Sequence, residues 1–412
     1  MTMPAATAPA AAPRSPARYQ IVLIAVLSLN FGIVFFDRNA LNFLMPFVQP
    51  DLGLSNLQVG LLASMLSFTW ALAAFAVGRV SDRLGRRKPV ILVCTLLFSL
   101  CSVVSGLAGS FIALLAARLL MGVAEGGILP ISQSLAAAEV SPERRGLAMG
   151  VTQNFGSNLI GTTVAAVVLV QVAAAYGWRE SFYLSAVPGL ISAALIWWLV
   201  KEPAPGEAVA GAPAEKMSLG QAFALRNVWL CSLIAVLLVA YLVICWAFMP
   251  LFLTRVRGFA PETMGWLMGT LGVSAAVGSF LVPGLSDRIG RKPIMIAVPL
   301  LGVILPLGAM YFDGSTWALA AIFFFGWALN GCFPMFMATI PSETVDARHT
   351  ATAMGLVMGV GELVGGVASP PLAGWAADRV GLAAPLWIMF GLCIAAGLLA
   401  LLLVETAPRR RR

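Results

Sequence analysis

Twelve apolar runs, each about long enough to cross a lipid bilayer as a helix, occupy most of this 412-residue chain. They begin near Tyr19, Leu57, Pro89, Phe111, Gly146, Ser181, Val228, Thr263, Pro293, Thr316, Ala351 and Ala383, and charged or turn-forming residues bound each one. A hydrocarbon core of about 30 Å is crossed by about 20 apolar residues. Helices suit that medium because they satisfy their own backbone polar groups where there is no water. The chain is 60% apolar and 11% charged, against roughly a quarter charged in a soluble domain. The expected fold is an all-α integral membrane protein with twelve transmembrane helices, and its first partner is the lipid bilayer.

A net charge of +8 invites a nucleic-acid reading, and the placement of that charge excludes it. Twenty of the 26 basic residues fall in the tails and in alternate loops, among them Arg79, Arg83, Arg86, Arg87, Lys88, Arg288, Arg291, Lys292 and Arg409 to Arg412. The other set of loops holds four, Arg179, Arg255, Arg257 and Arg379, and the remaining two, Arg38 and Arg118, lie within helices. This bias predicts a multi-pass protein with both termini in the cytoplasm. Residues 1 to 17, "MTMPAATAPAAAPRSPA", are too poor in large apolar residues for a signal peptide, so the first helix is expected to serve as the targeting signal. All six cysteines fall inside apolar runs, which argues against a disulfide framework. The sole histidine, His349, sits in a loop, and no Cys/His spacing suits a metal. The expectation is therefore no enzyme and no metal. Arg-rich, Ala- and Gly-rich composition suggests a bacterial source and hence an inner membrane.

The chain also reads as a duplication. "SDRLGRRKP" at 81 to 89 recurs as "SDRIGRKP" at 286 to 293, and "GVAEGGILP" at 122 to 130 as "GWALNGCFP" at 326 to 334, with offsets of 204 to 205 residues. The expected organisation is a disordered tail (1–18), a six-helix half (19–200), a cytoplasmic linker with Pro203, Pro205 and Pro213 (201–226), a second six-helix half (227–404) and a basic tail (405–412). Two parallel pseudo-symmetric halves with a site between them near the bilayer midplane are a common transporter layout.

"GRVSDRLGRRK" at 78 to 88, with its degenerate copy at 284 to 292, resembles the signature loop after the second helix of the major facilitator superfamily, and the likeness to that family covers nearly the whole chain. Asp37-Arg38 together with "RLLMGVAEGG" at 118 to 127 is similar to the anion:cation symporter branch, the proton-coupled importers of organic acids. The resemblance implies the major facilitator fold, a monomer, the proton as coupling ion and no other cofactor. It also implies an inner conformational latch built from Gly78, Asp82, Arg83, Gly85 and Arg87, with Asp287 and Arg288 in the second copy. Fixing topology is the alternative role of those basic residues.

A charge at the bilayer centre costs about 2.5 to 3.5 kcal/mol on insertion scales, so such residues usually face a cavity and pair. The helices contain five: Asp37, Arg38, Arg118, Glu125 and Glu362. At 1.5 Å per residue, Asp37 lies roughly 13 Å inside a first helix ending near Pro46, and Arg118 roughly 12 Å inside a fourth helix starting near Ser110. The two are expected at one level. Asp37 and Glu125 are candidate proton carriers, and Arg38 and Arg118 a candidate anion clamp, with Asn42 on the Arg38 face. A structural ion-pair network is the alternative. In the second half the equivalent positions are Tyr241, Leu242, Ile322 and Leu329, so the charges are confined to one half. Glu362 is open between a second proton site, a substrate contact and a packing residue. Gln153, Asn154, Asn158 and Asn330 are either cavity-lining or interhelical hydrogen-bonding groups, and Tyr241 and Trp246 are candidate cavity aromatics. Pro370-Pro371 is expected to break or kink the end of the eleventh helix.

Two intramembrane guanidinium groups favour an anionic cargo, because their forks match carboxylates. The fifth helix, "GVTQNFGSNLIGTTVAAV", also lacks the Gly-Pro pair that superfamily antiporters tend to carry. The expected function is uptake of a small organic anion (a carboxylate, sugar acid or aromatic acid) by proton symport. The alternatives are a proton-coupled drug or cation exporter and a non-transporting sensor of the same fold.

Overall fold

Each apolar run forms a helix in the computed structural model, which describes residues 16–140, 144, 148–202, 218–346 and 349–407. The spans are α1 (Ala17–Asp51), α2 (Asn56–Leu84), α3 (Lys88–Gly106), α4 (Phe111–Glu139), α5 (Ala148–Tyr176), α6 (Trp178–Leu199), α7 (Arg226–Arg255), α8 (Pro261–Ile289), α9 (Arg291–Tyr311), α10 (Thr316–Thr344), α11 (Thr352–Val380) and α12 (Ala383–Ala400). All twelve are long and apolar enough to cross a membrane, so this is a multi-pass membrane protein. With an even number of spans, the described chain begins and ends on one face, the terminal face; the opposite one is the far face. The expected tails fall largely outside the described residues, as does most of the linker. Within the linker, Leu219–Ala224 is a short helix, opened by a capping box between Ser218 and Gln221.

Local chemistry repeats across the two halves, as a duplication requires. Ser110 caps α4 by accepting the Ala113 N–H at 3.2 Å, and Ser315 caps α10 by accepting the Ala318 N–H at 3.3 Å. Glu202 accepts the backbone N–H groups of Arg87 and Lys88 that open α3, and Glu405 does the same for Arg291 and Lys292 at α9. Partial burial alone would raise the Glu405 carboxyl, but backbone N–H donors from Ala407, Arg291, Lys292 and Thr406 outweigh it and hold the group below the usual range.

One sequence expectation fails on proline, and of the break or kink expected at another, the break does not occur. The first helix does not end near Pro46 but runs through Pro46 and Pro50 to Asp51. Pro370-Pro371 does not end α11, which continues to Val380 after a π-helical stretch over Gly361–Ala368. Pro371 has no N–H to give the Val367 carbonyl four residues earlier. The Ser64 hydroxyl of α2 donates to that carbonyl instead, at 2.6 Å. A proline is tolerated within a membrane helix when a neighbour satisfies the freed group.

The halves α1–α6 and α7–α12 meet along α1/α7, α2/α11 and α5/α8. Along α5/α8 the backbones come close at glycine: a Cβ on Gly265 would sit 2.8 Å from the Ala166 carbonyl oxygen, and one on Gly272 2.5 Å from that of Asn158. Phe43 of α1 meets Trp246 of α7 edge-on at 5.9 Å.

Candidate functional site

Asp37 is fully buried, and both its carboxylate oxygens are occupied. Ser185 of α6 donates to one at 2.8 Å, and Ser102 of α3 donates to the other. Two turns toward the terminal face the pattern recurs. The Asn30 side-chain oxygen accepts from Thr95 of α3 at 3.2 Å and from Ser192 of α6 at 2.8 Å. Asn30/Asp37, Thr95/Ser102 and Ser185/Ser192 are each seven residues apart, so three helices present matched polar rungs. That shared spacing was visible in the sequence, and the serines were missed because a lone hydroxyl in an apolar run carries little signal.

Arg118 was expected beside Asp37. It lies within electrostatic reach of both Asp37 and Glu125, but no ion pair joins it to either among the described residues. Its guanidinium sits 5.5 Å from the Phe182 ring centre, and Nη1 points at the Met121 sulfur at 3.3 Å. Among the described residues Nε and Nη2 have no hydrogen-bond partner, nor does either oxygen of Glu125, and both side chains are buried to within 1%. Buried polar groups are rarely left unpaired, and each that is calls for an explanation. Here a donor set and an acceptor set stand two turns apart on α4, both unused.

Arg38 is half-buried and leans toward α2. Its Nη2 donates to the Ser67 hydroxyl at 3.1 Å, and the guanidinium lies over Phe35 and Trp70 at 5.6 and 5.4 Å. A guanidinium carries five N–H donors, so most of its capacity is left for a ligand. Arg38 is also within electrostatic reach of Glu125 and, from the other half, Glu362. The structure therefore gathers Arg38, Arg118, Asp37, Glu125 and Glu362 into one charged layer, with Ser67, Trp70 and Phe182 as supports that sequence reasoning did not name.

The uncharged candidates divide. Asn42, Gln153, Asn158 and Asn330 are half-buried with no side-chain hydrogen bond recorded among the described residues, whereas Asn154 donates back to the Gly150 carbonyl at 3.2 Å. Trp246 is half-buried and packs edge-on against Trp327 at 5.0 Å. Tyr241 departs from the cavity-lining expectation: it is fully buried and donates its hydroxyl to the Gly302 carbonyl at 3.0 Å, inside its own half. Several candidates ride on irregular turns, π-helical at Val151–Phe155, Leu159–Val164 and Gly361–Ala368 and 3₁₀ at Ala328–Cys332. Such turns recur at functional sites, and no local sequence rule announced them.

In the signature loop, Gly85 has φ 61°, Arg83 is exposed, and Arg87 donates to the Ser81 hydroxyl at 2.9 Å. The Asp82 side chain lies outside those described. Asp287 pairs within its own half with Arg291 at 2.6 Å, and Arg291 also pairs with Glu343 at 2.9 Å, while Arg288 is exposed. A cleft of about 490 Å³ between Pro46, Asp51, Tyr176 and Arg179 lies at the far rim, away from the charged layer, and holds the Asp51–Arg179 pair at 2.8 Å.

The family model described as Major Facilitator Superfamily matches residues 27–368 and 243–412. The hexuronate transporter of Bacillus subtilis is 28% identical, with 88% of this chain and 89% of that protein covered. The gallate transporter of Pseudomonas putida is also 28% identical, over 94% and 92% of the two chains. Among solved structures, a bacterial homologue of the human lysosomal transporter Spinster, inward-facing and unoccupied, superposes with a TM-score of 0.76 at 21% identity, covering 94% of this chain and 96% of that one.

Proposed function

This chain belongs to the major facilitator superfamily, and from that premise we propose that it is a transporter carrying a small organic anion inward by proton symport, as a monomer in a bacterial inner membrane with both termini cytoplasmic. The observation that carries this reading is the pair of unused polar sets at Arg118 and Glu125, buried beside an Arg38 whose fork is mostly free. A carboxylate cargo supplies acceptors for those donors, and a guanidinium binds it through two parallel hydrogen bonds. A cationic cargo would meet two guanidinium groups instead. The similarity to transporters named for hexuronate and gallate, both carboxylates, supports the same class.

Coupling follows from charge. Protons taken up from outside by Asp37 and Glu125 remove the negative charge that competes for Arg38 and Arg118, and the anion's carboxylate takes its place. The halves then rock, the anion leaves to the cytoplasm, and the carboxyls release their protons. Ligand and proton each shift the equilibrium only by their differential affinity for the two states. The glycine contacts along α5/α8 provide a close-packed surface for that rocking.

The test has two stages. Purified protein is screened by thermal shift against sugar acids and aromatic acids at acidic and neutral pH, since a ligand that binds the fold raises its apparent stability. The hit is then labelled and its uptake into proteoliposomes followed with and without an imposed inward proton gradient. Accumulation that collapses with the gradient is expected. Accumulation indifferent to the gradient overturns proton coupling, and failure of every acid to bind overturns the anion reading.

A further inference from the structure

The signature that closes α2 at the cytoplasmic face has a counterpart at the other end of the membrane. "GRVSDRLG" at 78 to 85 closes α2, and "GWAADRVG" at 374 to 381 closes α11, with Gly, Asp, Arg and Gly in identical register. The two helices pack side by side and run in opposite directions. Each signature therefore lies at the C-terminal end of its own helix, on the membrane face where the other helix begins.

At the outer end this arrangement is engaged. The Asp378 carboxylate accepts the backbone N–H of Asn56 on one oxygen and of Leu57 on the other, each at 2.9 Å. Those are the first two residues of α2, whose N–H groups have no partner within their own helix. Ser55 already serves the third, accepting the Gln58 N–H at 3.1 Å. A carboxylate at a helix N-terminus is also favoured by the helix dipole. Gly374, one turn before Asp378, lets the backbones touch: a Cβ there would lie 2.2 Å from the Asn56 carbonyl oxygen. Gly60 of α2 is equally tight, with a Cβ position 2.2 Å from the Pro370 carbonyl oxygen. Gly381, at φ 97°, closes the motif as Gly85 does at φ 61°.

At the cytoplasmic end the same helix pair is apart. Gly78, which matches Gly374 in register, has no packing atom within 4 Å of its Cβ position, and neither do Gly355 and Gly359 near the start of α11. One end of the α2/α11 pair is clamped and the other is open.

We infer that Asp378, with Gly374 and Gly60, forms an outer latch that holds the carrier closed to the outside, a counterpart on α11 of the signature at the end of α2. The inference rests on the alternating-access reading proposed above. Opening to the outside requires the two N–H groups of α2 to exchange Asp378 for water. The Arg379 guanidinium stacks on Trp375 at 4.2 Å and leaves the carboxylate to the helix terminus.

The test is a distance measurement between spin labels at Tyr176→Cys and Val256→Cys, on the outer ends of α5 and α7. Both positions are exposed, and the six native cysteines are buried. Purified carrier in lipid nanodiscs is examined at acidic and neutral pH by pulsed electron paramagnetic resonance. The wild type is expected to show a short and a long separation. Asp378→Ala should raise the long-to-short ratio on the order of tenfold, as losing about 1.4 kcal/mol would. Asp378→Asn, which keeps one acceptor, should shift it less, and Gly374→Val should shift it in the same direction. Asp378→Asn is the gentler change and serves if the others fail to fold. A two-population distribution left unchanged by any folded variant overturns the latch alone. A wild type with a single separation under both conditions overturns alternating access, and the latch with it.

Discussion

Replacing Arg118 with lysine separates a substrate clamp from a structural charge. The positive charge stays within reach of Asp37 and Glu125, so the electrostatic environment that α4 provides is kept. The planar fork is lost, and with it the Nε and Nη2 donors that no atom of the described residues accepts. If a carboxylate takes both, lysine recovers one hydrogen bond and forfeits the other. A hydrogen bond to a charged group contributes about 1.5 to 3 kcal/mol, and each 1.4 kcal/mol is about tenfold in affinity. Arg118→Lys should therefore weaken binding of the thermal-shift hit by roughly ten- to a hundredfold, with an unfolding midpoint near that of the wild type. Isothermal titration calorimetry on detergent-purified protein measures this directly. Arg179→Lys, which changes a half-exposed far-face pair with Asp51, serves as the control and should bind normally. Wild-type affinity in a folded Arg118→Lys protein would refute the clamp and leave Arg118 as a packing charge against Phe182 and Met121.

Asp37→Asn keeps an acceptor for one of the Ser102 and Ser185 hydroxyls and offers the other an N–H that its oxygen can accept, so the protein should fold and bind, while an imposed proton gradient should no longer drive accumulation; gradient-driven uptake in proteoliposomes by this variant would remove Asp37 from the coupling step. Tyr241→Phe deletes a buried hydrogen bond to the Gly302 carbonyl, which keeps the Leu305 N–H at 3.3 Å, so stability should fall by about 0.5 to 1.5 kcal/mol with transport kinetics unchanged. A transport defect at unchanged stability would return Tyr241 to the site. Glu405 has its folded value depressed, so its contribution is present above the unfolded carboxylate range and is lost as pH falls through the folded value. Melting curves of Glu405→Gln should fall below the wild type at neutral pH, by no more than about 1 kcal/mol after solvent screening, and converge with it on acidification. A gap that widens with acid would reverse the sign of this reasoning.

The twelve spans, the duplication, the bias of basic residues and the identity of the five membrane charges were all legible in the sequence, because each depends on position along a line. Run length maps onto bilayer thickness through a fixed rise per residue, and a constant offset marks a repeated unit. Depth along a helix was legible too, which is why Asp37 and Arg118 were expected together. The angle around each helix and the choice of neighbour were not. Asp37 turns toward Ser102 and Ser185 on α3 and α6, while Arg118 turns toward Phe182 and Met121. Tyr241 faces α9 instead of a cavity. Pro370-Pro371 fails to end α11 because Ser64, some 300 residues earlier in the chain, sits beside the freed carbonyl. The end of the α2/α11 pair that is closed depends on which N–H groups meet Asp378. A hydrogen bond is satisfied by whatever side chain packing brings within about 3 Å. In a bundle of twelve near-parallel helices, only the tertiary arrangement decides which side chain that is.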